Sequence, residues 1–463
     1  MVRAAGKSET DKGNTMHDDL RAAVDEIFPR IRAELEALVR IPSVSADGFD
    51  AANVRRSAEA TLELLQRTGL DGVRLLEVDG AHPAVFGELQ VDAEAPTILL
   101  YAHHDVQPPG DESQWESSPF EPAERDGRLY GRGASDDKAG IAVHVAAVSA
   151  HGAAPPVNVK VFVEGEEEIG SVHLPDFLAE YGDLLAADVI VVADAANWRA
   201  GTPALTTTLR GIVELDVEVQ TLEHGVHSGI FGGAFPDALM VLSRLLASLH
   251  ADDGSVAVEG LVEGDAEALD LTEEELRGQA GAVPGVELIG RGTLTGRTWA
   301  RPAISILKIE APGMDPPINQ LLPLARAKVS VRLAPGDDTA RAMRAVQEHL
   351  ESHVPWGARV MVTPGAAGAP FALETSGPGY DAFRRAFAET WARPSVEIGI
   401  GGSIPFVASF AAAFPRADIL LTAVGDPGSR IHGPNESQDL NDLKNACLAE
   451  AVALRLLADA ALR

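Results

Sequence analysis

TILLYAHHD at residues 97–105, VNVKVFVEGEEE at 157–168 and DVIVVAD at 188–194 share one grammar. Each is a short apolar run, rich in β-branched residues, that stops abruptly at histidines or acids. Such runs predict buried strands over 97–101, 157–163 and 188–193. Helix-compatible segments at 139–150 and 174–185 separate them, and strand–helix alternation implies an α/β domain built on a mixed, largely parallel sheet flanked by helices. Ligand sites in open sheets of this kind gather beyond the carboxyl ends of the strands, so His103, Asp105, the acids of 164–168 and Asp194 are expected around one crevice. Between the first two strands, GRGASDDKAG at 131–140 sets Asp136 and Asp137 just ahead of a helix.

Outward from this centre, Leu20, Val24, Ile27, Phe28, Ile31, Leu35 and Leu38 recur at three- and four-residue steps. They predict an amphipathic helix, kinked at Pro29 and ended before Pro42, with a second helix at 52–67. From about Thr206 the texture changes. LRGIVELDVEVQT at 209–221 and ARAKVSVRLAP at 325–335 alternate apolar with polar, the pattern of half-buried strands. Helices are expected at 237–250 and 339–352, with an acidic excursion at 252–291. The expected organisation is a loose leader over 1–16, a discontinuous α/β domain of 17–208 and 385–463, and an inserted two-layer α+β domain of 209–384.

Composition sets outer bounds. The chain has 463 residues, enough for two domains, and a net charge of −31 that repels phosphate backbones and anionic lipid. Nucleic-acid and membrane partners are therefore disfavoured, and no apolar run approaches the length of a transmembrane helix. The single cysteine, Cys447, forms neither an internal disulfide nor a thiolate metal site, which suits the cytoplasm. GKS at 6–8 lacks the earlier glycine of a phosphate loop, GRGASD at 131–136 lacks the third glycine of a dinucleotide fingerprint, and no serine has the glycines of a hydrolase elbow.

Taken singly, His103 is a loop or core histidine and 164–168 a solvated acidic turn. Their joint occurrence at successive strand ends changes the reading. Several acids crowded together repel one another unless a cation neutralises them. Nitrogen and oxygen donors without thiolate suit zinc, manganese or cobalt.

HHDVQP (103–108), GRGASDDKAG, EGEEEIGS (164–171), Asp194, GVHSGIFGG (225–233), VRLAPG (331–336), GGSIP (401–405) and IHGPNE (431–436) together resemble the dinuclear-metal amidohydrolases. That family includes carnosinase-type dipeptidases, glutamate carboxypeptidase, aminoacylases, acetylornithine deacetylase and succinyl-diaminopimelate desuccinylase, and the resemblance is to the dipeptidase branch. It implies His103, Asp136, Glu168, Asp194 and His432 as ligands of two divalent ions per subunit, zinc first, with manganese and cobalt accepted by the same donors. Asp136 would bridge the ions and precede a cis peptide bond, Asp105 would orient the His103 ring, and Glu167 would be the general base. The inserted domain becomes a lid and dimerisation domain. His227 would stabilise the oxyanion in a neighbouring subunit of a homodimer, Arg332 would clamp a substrate carboxylate with help from Asn319, and Gly402 and Ser403 would line the substrate end. The implied activity is amide hydrolysis in dipeptides or short peptides by a metal-activated bridging water. The alternatives are an N-acyl-amino-acid amidohydrolase using the same site, and an inert scaffold. Spacing agrees with the insertion: Asp136, Glu168 and Asp194 follow His103 at gaps of 33, 32 and 26 residues, whereas His432 lies 238 beyond Asp194.

Overall fold

The computed structural model describes residues 17–152, 154–312, 318–402 and 405–461. In chain order the principal helices are α1 (Asp18–Val39), α2 (Ala51–Arg67), α3 (Lys138–Ala150), α4 (Leu174–Leu185), α5 (Ala238–Ala247), α6 (Thr339–His353), α7 (Pro378–Trp391) and α8 (Leu440–Ala461). The principal strands are β1 (Asp71–Leu76), β2 (Ala84–Leu89), β3 (Thr97–His103), β4 (Asn158–Glu164), β5 (Val189–Ala196), β6 (Ala204–Leu209), β7 (Gly211–Gln220), β8 (Ala303–Glu310), β9 (Leu324–Leu333), β10 (Arg359–Gly368) and β11 (Asp418–Gly425). The first helix runs through Pro29 without a break in its assignment.

Contacts divide the chain into two compact units. One takes the chain up to Thr206, Glu374–Glu397 and the chain from Ser409 on; the other takes Thr207–Leu373 and Ile398–Ala408. Relative to the boundaries expected from sequence, α7 goes with the first unit. The reason is packing: Tyr380, Phe383 and Phe387 are buried in that unit's core beside Leu443 and Val452 of α8.

In the first unit the sheet runs β1-β2-β4-β3-β5-β11, and β6 pairs antiparallel with β11. The four inner strands, β4, β3, β5 and β11, are parallel, and antiparallel strands flank them. Both faces are covered, which is why these strands read as unbroken apolar runs. Ile98, Leu100 and Ala102 join the core formed with α1, α3 and α8. The opposite face carries Tyr101, which packs on Phe162 and Phe410, while Phe162 meets Phe177 of α4. Because the strands are parallel, their carboxyl ends coincide: register pairs His103 with Glu164, and Tyr101 with Val192 two residues short of Asp194.

The second unit has a four-stranded antiparallel sheet, β8-β9-β7-β10. Its inward positions Val213, Leu215, Val217 and Val219 form a core with Val241, Leu242, Leu245, Val346 and Leu350 of α5 and α6. This is the two-layer arrangement that period-two alternation predicts. Within 252–291 the one helix among the described residues is the short Glu273–Ala280, closed by a Thr272/Glu275 capping box. No helix among the described residues is long and apolar enough to cross a membrane.

Leu100 has no exposed surface and sits mid-strand in the first core. Leu100→Ala is expected to destabilise the first unit by about 2–5 kcal/mol, read by chemical denaturation, whereas a loss under about 0.5 kcal/mol would contradict this packing.

Candidate metal centre

His103 ends β3, Glu167 and Glu168 open the 3-10 turn that follows β4, and Asp194 lies near the end of β5. Asp136 comes from the loop before α3, and its peptide bond to Asp137 is cis, as the resemblance implies. His432 sits beyond β11 in a turn where its own backbone is left-handed, φ 63°. Such a conformation in a non-glycine residue persists only where its surroundings hold it.

These side chains meet. His103 Nε2 donates to Asp136 Oδ1 at 3.0 Å, and His432 Nε2 donates to Asp136 Oδ2 at 3.0 Å, so one carboxylate spans both imidazoles. His103, Glu167 and Asp194 offer ligand atoms all within 4.8 Å of one another, as do Asp136, Glu168 and His432. Around His103 Nε2, Asp194 Oδ2 lies at 3.9 Å and Glu167 Oε2 at 4.0 Å; around His432 Nε2, Glu168 Oε2 lies at 3.2 Å. The side chain of His103 is 0% exposed and that of His432 55%, so the second group is the one open to solvent.

Support is built from the same loops. His103 Nδ1 lies 3.1 Å from the Asp105 carbonyl and 3.3 Å from its Oδ1. Asp105 Oδ2 accepts from Ser45 Oγ at 2.7 Å and from the Glu168 backbone N–H at 3.1 Å, joining the loop of His103 to that of Glu168. Gln107 holds Glu168: its backbone N–H donates to Oε1 at 3.0 Å and its side-chain amide to Oε2 at 2.8 Å. Glu436, fully buried, accepts the N–H groups of Ser135 and Asp136 and pairs with buried Arg132, which lies over the Trp115 ring. Glu436 thereby ties the turn of His432 to the loop of Asp136. Gln107, Arg132 and Glu436 stand inside motifs quoted above, yet were not read as functional. Glutamine and buried arginine carry no signal of their own until their partners are known.

Glu167 and Asp194 differ from the other acids in accepting no hydrogen bond among the described residues. Burial, with the neighbouring Asp194 charge, pushes the Glu167 carboxyl well above its ordinary range. Burial does the same to Asp194, with Asp136 adding to it and His103 opposing it. Burial works against the His103 imidazolium, yet hydrogen bonds to Asp105 and Asp136 carry its pKa well up. Hydrogen bonds to Asp136 and Glu168 lift His432 to about 10. The donor set and this charge balance fit divalent cations. Four carboxylates and two imidazoles converge, without thiolate, and Glu167 and Asp194 share the single imidazole of His103 without a hydrogen bond among the described residues. The centre is built for two divalent metals, one in each cluster, with Asp136 facing both.

The substrate-side residues expected from sequence lie in the second unit. His227 is exposed, and its Nδ1 accepts the Gly229 N–H at 3.0 Å. Asn319 is exposed, and its carbonyl accepts the Ser228 N–H at 3.1 Å. Arg332 and Gly402 are half-buried, and Ser403 lies outside the described residues.

Comparison with known proteins follows the same lines. The model of peptidase family M20/M25/M40 matches residues 99–455. The chain is 34% identical over 433 residues to the cysteinylglycine-S-conjugate dipeptidase of Corynebacterium striatum, covering 91% of this chain and 94% of that one. It is 29% identical to the beta-Ala-His dipeptidase of Homo sapiens, over 88% of this chain and 82% of the relative. The crystal structure of human carnosine dipeptidase 1 matches with a TM-score of 0.77 at 27% identity, covering 96% of this chain and 99% of that one.

With the imidazoles, Glu167 and Asp194 all pushed toward their protonated forms, a cation has to displace protons. Metal uptake is expected to release protons and to weaken as pH falls. Calorimetric titration with manganese in buffers of different ionisation enthalpy reads the release; a pH-independent affinity without it would contradict this charge balance.

Proposed function

The chain belongs to peptidase family M20/M25/M40 and is a metallopeptidase; from that premise we propose that its substrates are dipeptides or comparably short peptides. The observation that carries this reading is Glu167. It is a carboxylate beside a ligand-type neighbour, facing His103 and Asp194, and held by no hydrogen bond among the described residues. The names of the relatives favour dipeptides over N-acyl amino acids. The presence of every expected ligand side chain weighs against an inert scaffold.

His103 and Asp194 would hold one ion, Glu168 and His432 the other, and Asp136 both. Divalent ions held there would supply the positive charge that acidifies a water and polarises a scissile carbonyl. Glu167, held by no hydrogen bond among the described residues, is the group placed to take the water's proton and return it to the leaving nitrogen once cations have displaced its own proton. Asp105 keeps the His103 ring oriented through Nδ1. We assign Arg332 to the substrate's carboxylate, with Asn319, Gly402 and Ser403 lining that end, and His227 to the developing oxyanion. In this reading the second unit is a lid and dimerisation domain of a homodimer, zinc is the resident ion, and the compartment is the cytoplasm. The last is supported by a lone, buried Cys447 that forms no disulfide.

Two measurements test this. Glu167→Gln is expected to lower turnover by about 10²–10⁴-fold while elemental analysis finds the metal content unchanged; loss of metal would make Glu167 a ligand instead. A panel of dipeptides, tripeptides and N-acyl amino acids offered to the metal-loaded protein should show dipeptides cleaved fastest. Faster cleavage of acylated amino acids than of every free dipeptide would replace the dipeptidase reading with a deacylase.

A further inference from the structure

On the outward face of the second unit's sheet, β7 and β9 match charge with charge. Register sets Arg326 opposite Glu218 and Lys328 opposite Asp216, and both pairs close, at 2.7 and 3.0 Å. At the next pair the pattern ends, Ser330 facing Glu214, and the pair beyond it holds Arg332. Arg332 lies opposite Ile212 on β7 and Ala303 on β8, and it makes no hydrogen bond or ion pair among the described residues. A half-buried guanidinium is thus faced by apolar residues on both neighbouring strands and closes no ion pair among the described residues, although Glu214 lies one pair away on the same face.

A second one stands beside it. Arg210 stands immediately before β7, two residues from Ile212, and is half-buried as Ile212 and Arg332 are. Its Nε–H donates to the Gly401 carbonyl at 3.1 Å, and Nη1 donates to the carbonyls of Arg301 at 3.2 Å and Arg297 at 3.5 Å. These bonds hold the guanidinium rigidly and leave the Nη2 donors without an acceptor among the described residues. A Cβ on Gly401 would lie 2.6 Å from Nη2 and 2.8 Å from the Thr298 carbonyl, so glycine at 401 is what lets the arm lie flat against the turn. Burial, and then the Arg332 charge, draw the Arg210 pKa down to about 10, consistent with two cations facing one another.

We propose that Arg210 and Arg332 together form a carboxylate-binding subsite, in which Arg210 is a second specificity-determining residue for substrates with a free terminal carboxylate. This rests on the dipeptidase reading above, which gave that task to Arg332 alone. A guanidinium presents paired N–H donors at the spacing of carboxylate oxygens, and an anion between two guanidiniums removes their mutual repulsion. The three carbonyl bonds on Arg210 pre-set its orientation, so little rotamer freedom is lost when the anion arrives.

The test compares one dipeptide with its C-terminal carboxamide, using the full metal-loaded chain, its Arg210→Gln variant and its Arg210→Lys variant. In Arg210→Gln the KM for the free acid is expected to rise about tenfold or more, while the carboxamide's KM and both kcat values stay within about twofold. Arg210→Lys keeps the charge without the fork; it should give a smaller rise, again for the free acid alone, and it carries the comparison should Arg210→Gln not fold. An unchanged ratio of acid to carboxamide KM in both variants, or a parallel loss on both substrates, overturns the proposal while leaving the dipeptidase reading in place. A wild-type protein that cleaves neither peptide removes that reading, and the subsite with it.

Discussion

Repulsion among buried carboxylates governs the first unit. Asp136, Glu167, Glu168 and Asp194 are gathered at the carboxyl ends of parallel strands with only two imidazoles among them, so without cations Glu167 and Asp194 are driven toward their protonated forms. The surrounding contacts make sense as a frame that holds the acids in place regardless. Gln107 fixes Glu168, Asp105 joins the loops of His103 and Glu168, and Glu436 with Arg132 joins the loops of Asp136 and His432. A frame that invests a fully buried ion pair in keeping like charges together points to cations as the missing component.

Much of this was legible in the chain. The strands β3, β4 and β5 are marked by unbroken apolar runs because both faces of the parallel sheet are covered, and each run stops where a functional side chain begins. A histidine and several acids recur at those stops, whereas which of them to take as ligands, and His432 much later in the chain, came from the resemblance to the dinuclear-metal family. What escaped is what depends on partners. Glu436 closes a motif that was quoted for its histidine, and nothing in its type distinguishes a buried clamp from a solvated acid. Arg210 lies in a strand read only for its alternation. The place of α7 escaped for a related reason: its amphipathic period predicts a helix with one buried face, but the choice of core for Phe383 and Phe387 is tertiary.

The two units divide the chemistry by charge. The first concentrates acid and calls for cations; on the second, along one sheet face, Arg326 and Lys328 find acids across the strand whereas Arg332 closes no such pair. Substrates of a dipeptidase have complementary parts, a carbonyl to be polarised and a carboxylate to be gripped. The same physical rule, that a buried charge needs its opposite, accounts for an acid-rich centre and for two arginines that close no ion pair among the described residues.

The account's central claim is that the cluster around Asp136 seats two cations. A crystal structure of the protein grown with manganese and recorded at a wavelength where manganese scatters anomalously tests it most directly. Two anomalous peaks are expected, one beside His103 and Asp194, the other beside Glu168 and His432, with an Asp136 oxygen toward each. A single peak, or none with the carboxylates turned away from one another, would contradict it.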